Sequence, residues 1–191
     1  SYEALRRTLD GSIKSIAKMV EMKDPYTTGH QQRVAELASA IAGEMGLSIE
    51  QVKYIYLAGL IHDIGKFYVP ADILSKPGKL TQIEIAMIRT HSQGSYDILR
   101  EIEFPWPIAQ IAWQHHERID GSGYPQGLSG DDILQEANIL AVSDVVEAMA
   151  SYRPYRPALG IDRALEEIEL NRGTLYGTAA ADTCLWLFKE K

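Results

Sequence analysis

Two short segments of this 191-residue chain have the pattern that begins an α-helix. Residues 48–51 (SIEQ) and 81–84 (TQIE) each place a hydroxyl three residues before a carboxamide or carboxylate, so that each side chain can bond the backbone N–H of the other. Apolar residues then recur every three to four positions, as a helix face requires. No segment shows the alternation of apolar and polar residues typical of a strand. The sequence predicts an all-α protein.

The same periodicity predicts helices along the rest of the chain. The first helix has an apolar stripe without a recognisable N-cap, which favours a linker helix from an upstream domain or a plain packing helix; the stripe is Leu5, Leu9, Ile13, Ile16 and Val20. Later helices are expected to end near Gly46, Gly65 and Arg100, and others follow Pro107 and occupy residues 137–150, 162–171 and 178–189. We expect a compact bundle of about seven to eight helices at residues 23–191, preceded by a linker helix at residues 1–22.

Charge and composition exclude several classes of protein. The net charge of −7 argues against a protein that coats a nucleic acid polymer, although a local cluster of cations can still bind a small anion. Apolar runs are far shorter than the roughly 18–20 residues of a transmembrane helix. Cys184 is the only cysteine, which suits a reducing cytoplasm and a buried apolar position. We expect a cytoplasmic protein without a transmembrane segment.

Histidine and aspartate residues indicate a metal site. All five histidines lie on or beside a predicted helix, and several lie on its buried face: His30, His62, His91, His115 and His116. Asp144 stands in an apolar helix, where its charge costs several kcal/mol unless it is paired or bound to a metal. His62 and Asp63 diverge by about 100° on a helix, but at a helix end both can reach one metal, and the carboxylate can bridge to a second. Nitrogen and oxygen ligands suit Fe, Mn or another first-row divalent ion.

Several longer motifs resemble one known family. "HDIGK" at 62–66 resembles the signature of the HD phosphohydrolase superfamily, and "HHERIDGSGYPQGL" at 115–128 resembles the motif of its HD-GYP branch. Further matches are "TTGHQQRVAELA", "ILSKPGKLT", "HSQGSYDIL" and "SDVVEAMASYRPYR", so that the resemblance covers roughly residues 24–157. It implies an HD-type helical phosphodiesterase that hydrolyses the bacterial second messenger cyclic di-GMP to pGpG, GMP or both, by in-line attack of a metal-activated hydroxide.

The resemblance also implies a set of metal ligands. Carried over by position, they are His30, His62, Asp63, His91, His115, His116 and Asp144. Asp63 would bridge two divalent ions, with one held by His30, His62 and Asp144 and the other by His91 and His115. Tyr26 stands where family members with a third metal have a glutamate, which favours two metals, with Fe or Mn as the expected ions. His116 then either binds a metal or faces the substrate.

Other residues are expected to contact the substrate or assist the reaction. Asp63 and Lys66 are the expected catalytic residues. Lys66 would neutralise charge at the phosphorus or assist the leaving oxygen; the alternative is a solvated lysine at a helix end. Arg153 and Arg156 resemble phosphate-contacting residues of the family, the alternative being an ordinary charged loop. The part of the HD-GYP motif that follows the two histidines, residues 117–128, is called the GYP loop. In it, Gly123 allows close approach of the ligand, and Tyr124 offers a ring to guanine.

Arg118, in the same loop, is expected to contact the substrate. Arg118 and Asp120 either pair to hold the loop or are plain surface charges. Two other functions stay open: a weakly active or inactive nucleotide-binding or protein-interaction module, and a hydrolase for another cyclic or linear dinucleotide. The resemblance also suggests docking of a diguanylate cyclase (GGDEF) domain at the GYP loop and an upstream sensor or receiver domain. The sequence leaves a homodimer open.

Overall fold

The computed structural model describes residues 1–24, 27–152 and 158–190, without the side chains of Tyr2, Leu5 and Arg6. The predictions made for Tyr26, Arg153 and Arg156 therefore lie outside the described residues. The described residues form α-helices and 3-10 turns and contain no strand, which confirms the all-α prediction. The α-helices are α1 (Tyr2–Lys23), α2 (His30–Glu44), α3 (Ile49–Ile61), α4 (Ala71–Leu74), α5 (Gln82–Leu99), α6 (Ile108–Gln114), α7 (Gln135–Ala150), α8 (Ile161–Leu170) and α9 (Thr178–Glu190).

Both predicted capping boxes are present. Ser48 Oγ accepts from the backbone N–H of Gln51 at 3.2 Å, and the Gln51 side chain accepts from the N–H of Ser48 at 3.1 Å. Thr81 and Glu84 make the equivalent pair at 3.3 and 2.7 Å. These bonds satisfy backbone donors that a helix start otherwise leaves unpaired, so α3 and α5 begin where the sequence predicts.

The end of α3 differs from the prediction. We expected the helix to stop near Gly65, but it ends at Ile61, and a 3-10 turn follows at Ile64–Tyr68. A Cβ atom on Gly65 would lie 2.0 Å from the carbonyl oxygen of His91, so the turn packs directly on the backbone of α5. Asp63, just before the turn, lies with its Oδ1 3.2 Å from Nε2 of His91. The short helix α4 that follows was not predicted.

The core is formed mainly by α2, α3, α6 and α7. Gly59 of α3 lies close to α2, since a Cβ there would be 2.7 Å from the Cα of Ala35. Ile111 and Leu140 are fully buried between the helices. Cys184 is buried as expected, and burial raises the pKa of its thiol to about 12. In the described part of the chain, no helix has both the length and the apolar character needed to span a bilayer.

Helix α1 packs on this core through part of the expected stripe. Ile13 and Val20 are buried, whereas Leu9 is 53% exposed. The expectation of an uncapped start is wrong, because Ser1 Oγ accepts from the N–H of Ala4 at 3.4 Å. At the other end, Lys23 Nζ donates to the carbonyl oxygen of Phe67 and lies 5.6 Å from the centre of its ring. Helix α1 thus contacts the 3-10 turn that follows the HD pair.

Candidate metal centre

The structure brings the predicted histidine and aspartate ligands into one buried cluster between α2, α3, α5, α6 and α7. Three of the histidines are oriented in the same way, each through Nδ1 bonded to the backbone carbonyl three residues earlier: His62 to Gly59 at 2.8 Å, His91 to Ile88 at 2.7 Å and His115 to Ala112 at 2.6 Å. A ring whose Nδ1 donates to a carbonyl presents the lone pair of Nε2. Each helix therefore turns one basic nitrogen toward the cluster.

Asp63 lies between two groups of histidines. Its Oδ1 is 3.2 Å from Nε2 of His91 and 3.9 Å from Nε2 of His115. Its Oδ2 is 3.7 Å from Nε2 of His62 and 3.9 Å from Nε2 of His30. The two carboxylate oxygens thus face different pairs of imidazoles, which is the arrangement that a carboxylate bridging two ions requires.

Asp144 completes the first group. Its Oδ1 lies 3.2 Å from Nε2 of His30 and 3.9 Å from Nε2 of His62. Burial alone would raise the pKa of Asp144, but the hydrogen bond from His30 and the neighbouring imidazoles hold it well below its usual range. The partner that the sequence required for this buried carboxylate is therefore the histidine cluster.

Two buried nitrogen atoms indicate that this cluster fits a metal. Nε2 of His62 and Nε2 of His115 are fully buried, and no described group forms a hydrogen bond with either atom. An unpaired buried polar atom is costly, so each nitrogen needs a ligand. Three sets of side chains offer ligand atoms that all lie within 4.8 Å of one another: His91, His115 and His116; His30, His62 and Asp144; His62, Asp63 and His115.

The protonation states of these residues also suit metal binding. Burial, followed by the proximity of His62 and His91, lowers the pKa of His115 to about 3. Burial likewise lowers the pKa of His62. Burial alone would raise the pKa of Asp63, but Lys66 and the imidazoles hold it well below its usual range. Neutral imidazoles beside an ionised carboxylate are the forms that bind a cation.

His116 lies at the edge of the second group. Its Nε2 is 3.2 Å from Nε2 of His91, and its ring centre is 3.9 Å from that of His115. The Tyr124 ring stacks on it, with centres 4.7 Å apart. Burial, then the proximity of His115 and His91, lowers the pKa of His116 well below its usual range. His116 is placed both to bind a metal with His91 and His115 and to connect the centre to the GYP loop.

Lys66 is buried beside the carboxylate of Asp63. Its Nζ lies 2.7 Å from Oδ2 of Asp63 and 3.3 Å from Oδ2 of Asp24, the residue that follows α1. The alternative of a solvated lysine is wrong, since the residue is only 8% exposed. Lys66 lies in the 3-10 turn that follows α3 and reaches Asp63 from there. Asp24 was not identified from the sequence.

Glu147 is a second residue that the sequence reasoning missed. Its Oε2 is hydrogen-bonded to Nδ1 of His30, and its Oε1 accepts from Nε of Arg33 at 2.8 Å and from Oγ of Ser151 at 2.6 Å. Burial alone would raise the pKa of Glu147, but these contacts lower it to about 2. A carboxylate on Nδ1 orients a ligand histidine and makes its other nitrogen more basic. The available signal was its position three residues after Asp144, on the same helix face.

The Glu147→Gln variant is expected to bind metal about 10- to 100-fold more weakly, because the amide does not supply the charged acceptor that orients His30. Metal titration followed by calorimetry measures this change. The exposed Glu190→Gln on α9 serves as the control and should retain the wild-type affinity. Wild-type metal affinity in Glu147→Gln would show that His30 is oriented by other contacts.

The GYP loop is built around Glu117 and Gly123. The buried carboxylate of Glu117 accepts from the backbone N–H of Gln126 at 2.7 Å and of Leu128 at 3.0 Å. A Cβ on Gly123 would lie 2.4 Å from the backbone nitrogen of Arg118, so only glycine allows the loop to lie this close to the chain after the two histidines. These contacts place Tyr124 over His116. Glu117 was not identified from the sequence.

Arg118 does not pair with Asp120 in the described structure. Its Nη1 donates to the carbonyl oxygens of Glu117 at 2.8 Å and His115 at 3.4 Å, and its guanidinium lies 5.3 Å from the centre of the Tyr176 ring. Asp120 instead accepts from the N–H and hydroxyl of Ser122 at 2.9 and 2.6 Å. Arg118 therefore braces the loop against the segment that precedes α9.

The family model described as an HD domain matches residues 14–179 of this sequence. The chain belongs to the HD domain family. The prediction of an HD-GYP-type member is confirmed by this match together with relatives that are named as cyclic di-GMP phosphodiesterases. HD domains are metal-dependent, which agrees with the unpaired imidazole nitrogens of the centre.

Named relatives of this HD domain act on cyclic dinucleotides. The cyclic di-GMP phosphodiesterase response regulator RpfG of Xanthomonas campestris is 39% identical over 176 residues, covering 91% of this chain and 47% of the relative. The 3'3'-cGAMP-specific phosphodiesterase 1 of Vibrio cholerae is 42% identical over 150 residues, covering 78% and 35%. The chain thus spans less than half the length of these curated relatives.

The fold is also seen in solved structures. The cyclic GMP-AMP-specific phosphodiesterase V-cGAP3 of V. cholerae aligns with a TM-score of 0.70 at 16% identity, covering 93% of this chain and 48% of the solved chain. At that identity the match supports the architecture alone. It confirms the expected HD-type helical bundle.

Proposed function

We propose that this HD domain is a metal-dependent phosphodiesterase that hydrolyses cyclic di-GMP to pGpG, GMP or both. The observation that carries the proposal is the position of Asp63, whose two carboxylate oxygens face separate pairs of imidazoles. A carboxylate in this position suits a two-ion centre for in-line displacement at phosphorus. The names of the relatives, which include cyclic di-GMP phosphodiesterases, supply the substrate class.

The proposed ligands form two groups that share Asp63. His30, His62 and Asp144 would hold one ion, while His91 and His115, with His116 beside them, would hold the other. Fe or Mn suits this nitrogen- and oxygen-rich set, since no cysteine lies in it. When bound, the ions would supply Lewis-acid stabilisation of the phosphoryl oxygens and lower the pKa of water.

The protein's own residues would bind and polarise the phosphate. The ammonium of Lys66, held at 2.7 Å from Asp63, places a fixed positive charge where the phosphoryl oxygens gain negative charge. Lys66 and the carboxylate of Asp63 are buried, so the charge of the ammonium is screened only weakly by solvent. Tyr124 would border the nucleotide from the GYP loop, with Gly123 beneath it. Arg153 and Arg156, outside the described residues, are proposed to contact the second phosphate, and Arg118 to hold the loop in place.

Further features of the proposal concern the larger protein. We infer that residues 1–22 act as a linker helix to an upstream sensor or receiver domain. Lys23 and Asp24, at the end of this helix, contact Phe67 and Lys66 of the 3-10 turn and would connect such a domain to the centre. A cytoplasmic location follows from a cyclic dinucleotide substrate. The proposal also includes docking of a GGDEF domain at the GYP loop and a homodimer.

A relative named as specific for 3'3'-cGAMP supports a second candidate substrate with one adenine. A turnover assay tests the proposal and separates the candidates. Protein purified without oxygen and loaded with Fe²⁺ or Mn²⁺ is incubated with cyclic di-GMP, 3'3'-cGAMP and linear pGpG, and products are separated by chromatography. We expect cyclic di-GMP to be consumed only in the presence of metal. Tight binding of cyclic di-GMP without product would instead favour the binding-module alternative.

A further inference from the structure

A groove lies beside the metal centre between α5, the 3-10 turn and the GYP loop. It has a volume of about 660 Å³, within the usual range for small-molecule sites. One wall is a single face of α5 from Ala86 to Asp97, and the other wall is formed by Tyr68, Tyr124 and Pro125. Because Tyr124 stacks on His116, the groove begins where the centre ends.

The two ends of this groove carry opposite charge. Arg89, two residues before the ligand His91, places its guanidinium 4.9 Å from the centre of the Tyr124 ring. Asp97 stands eight residues further along the same face, a rise of about 12 Å, and its Oδ1 lies 3.8 Å from Nε of Arg100. A cation near the metal centre and a carboxylate away from it match a nucleotide whose phosphate lies at the centre and whose base points along α5.

Asp97 is held in place by a chain of hydrogen bonds. Trp113 Nε1 donates to Oε1 of Gln93 at 2.9 Å, and Nε2 of Gln93 donates to Oδ1 of Asp97 at 3.1 Å. No hydrogen bond within the described part of the chain reaches Oδ2 of Asp97. The carboxylate is therefore oriented while one oxygen stays available to a ligand.

Tyr68 supplies an aromatic surface across the groove. Its ring packs so closely on Gly94 that a Cβ there would lie 2.6 Å from the ring. The residue is nevertheless 65% exposed, so a large part of the ring faces solvent. A planar base can stack on such a ring whatever its hydrogen-bonding edge.

We propose that this groove binds one guanine base of the dinucleotide, with Tyr68 stacking on the base and Asp97 distinguishing guanine from adenine. This inference rests on the proposed function, and it names the base selected beside the centre. The Watson–Crick edge of guanine presents two N–H donors, at N1 and N2, to a carboxylate. Adenine presents one donor, at N6, beside an acceptor at N1 that a carboxylate repels, so Asp97 would favour cyclic di-GMP over a dinucleotide with adenine in this position.

The test compares kcat/KM for cyclic di-GMP with kcat/KM for cyclic di-AMP in the metal-loaded protein. We expect wild type to prefer cyclic di-GMP and Asp97→Ala to lower this preference about 10- to 100-fold, as expected for the loss of hydrogen bonds to a charged group. Tyr68→Ala should weaken both substrates alike and leave their ratio unchanged. Glu101→Ala is the matched control, because Glu101 and Asp97 both lie 3.8 Å from Nε of Arg100, but only Asp97 lines the groove.

An unchanged preference in Asp97→Ala, or equal turnover of both substrates by wild type, would overturn the inference while leaving the proposed phosphodiesterase intact. If no cyclic dinucleotide is hydrolysed, the proposed function fails, and calorimetry with 5′-GMP and 5′-AMP then tests the groove alone. Tighter binding of GMP in wild type that is lost in Asp97→Ala would support guanine recognition. Equal binding of the two mononucleotides by wild type would overturn it.

Discussion

Replacing Asp63 with Asn is expected to lower kcat for cyclic di-GMP by about 1,000-fold or more, which corresponds to about 4 kcal/mol of activation free energy. The reason is geometric. Oδ1 faces His91 and His115, whereas Oδ2 faces His62 and His30, and an amide replaces one of these oxygens by a nitrogen that cannot bind a cation. Whichever way the Asn side chain turns, one of the two pairs of imidazoles loses the carboxylate oxygen that faces it.

Metal analysis and steady-state kinetics together check this prediction. Asp63→Asn should retain less metal than wild type, and adding excess Fe²⁺ or Mn²⁺ should restore only a small part of the activity. Asp72→Asn, an exposed carboxylate on α4, is the matched control and should behave as wild type. The melting temperature shows whether the variant still folds. Asp63→Asn with full metal content and kcat within tenfold of wild type would contradict a bridging role.

Helix starts were the part of the fold most readily predicted, because capping is local. The hydroxyl of Ser48 or Thr81 and the side chain three residues later determine where α3 and α5 begin, and no distant contact is needed. The end of α3 depends on a distant contact instead. Ile64 continues the apolar period, but the close packing of Gly65 on α5 requires the chain to leave the helix after Ile61. Periodicity carries no information about that backbone contact.

The ligands could be predicted because motif positions identify them one residue at a time, and the structure brings the predicted residues together. The residues that support them were missed for the opposite reason. Glu147 and Asp24 are charged residues of common types, and only the packing of α7 against α2, and of α1 against the 3-10 turn, makes them partners of His30 and Lys66. Tyr68 and Asp97 likewise share a groove only through tertiary packing. Such pairs are distant in sequence, so no local pattern joins them.

Lys66→Met is expected to lower kcat about 100-fold with a smaller change in metal content, since the ammonium supplies charge to the phosphoryl group rather than a metal ligand. Lys66 Nζ lies between the carboxylates of Asp63 and Asp24, and methionine keeps the length of the side chain while removing that charge. Lys66→Arg should recover part of the rate, because it restores the charge with a different shape. Asp24→Asn keeps the lysine and should cost less than Lys66→Met. Kinetics and metal analysis on all three variants distinguish the two possible roles of Lys66. A loss of metal in Lys66→Met equal to that in Asp63→Asn would show that Lys66 acts by holding the carboxylate of Asp63. A loss of kcat at full metal content would show that its charge acts on the substrate.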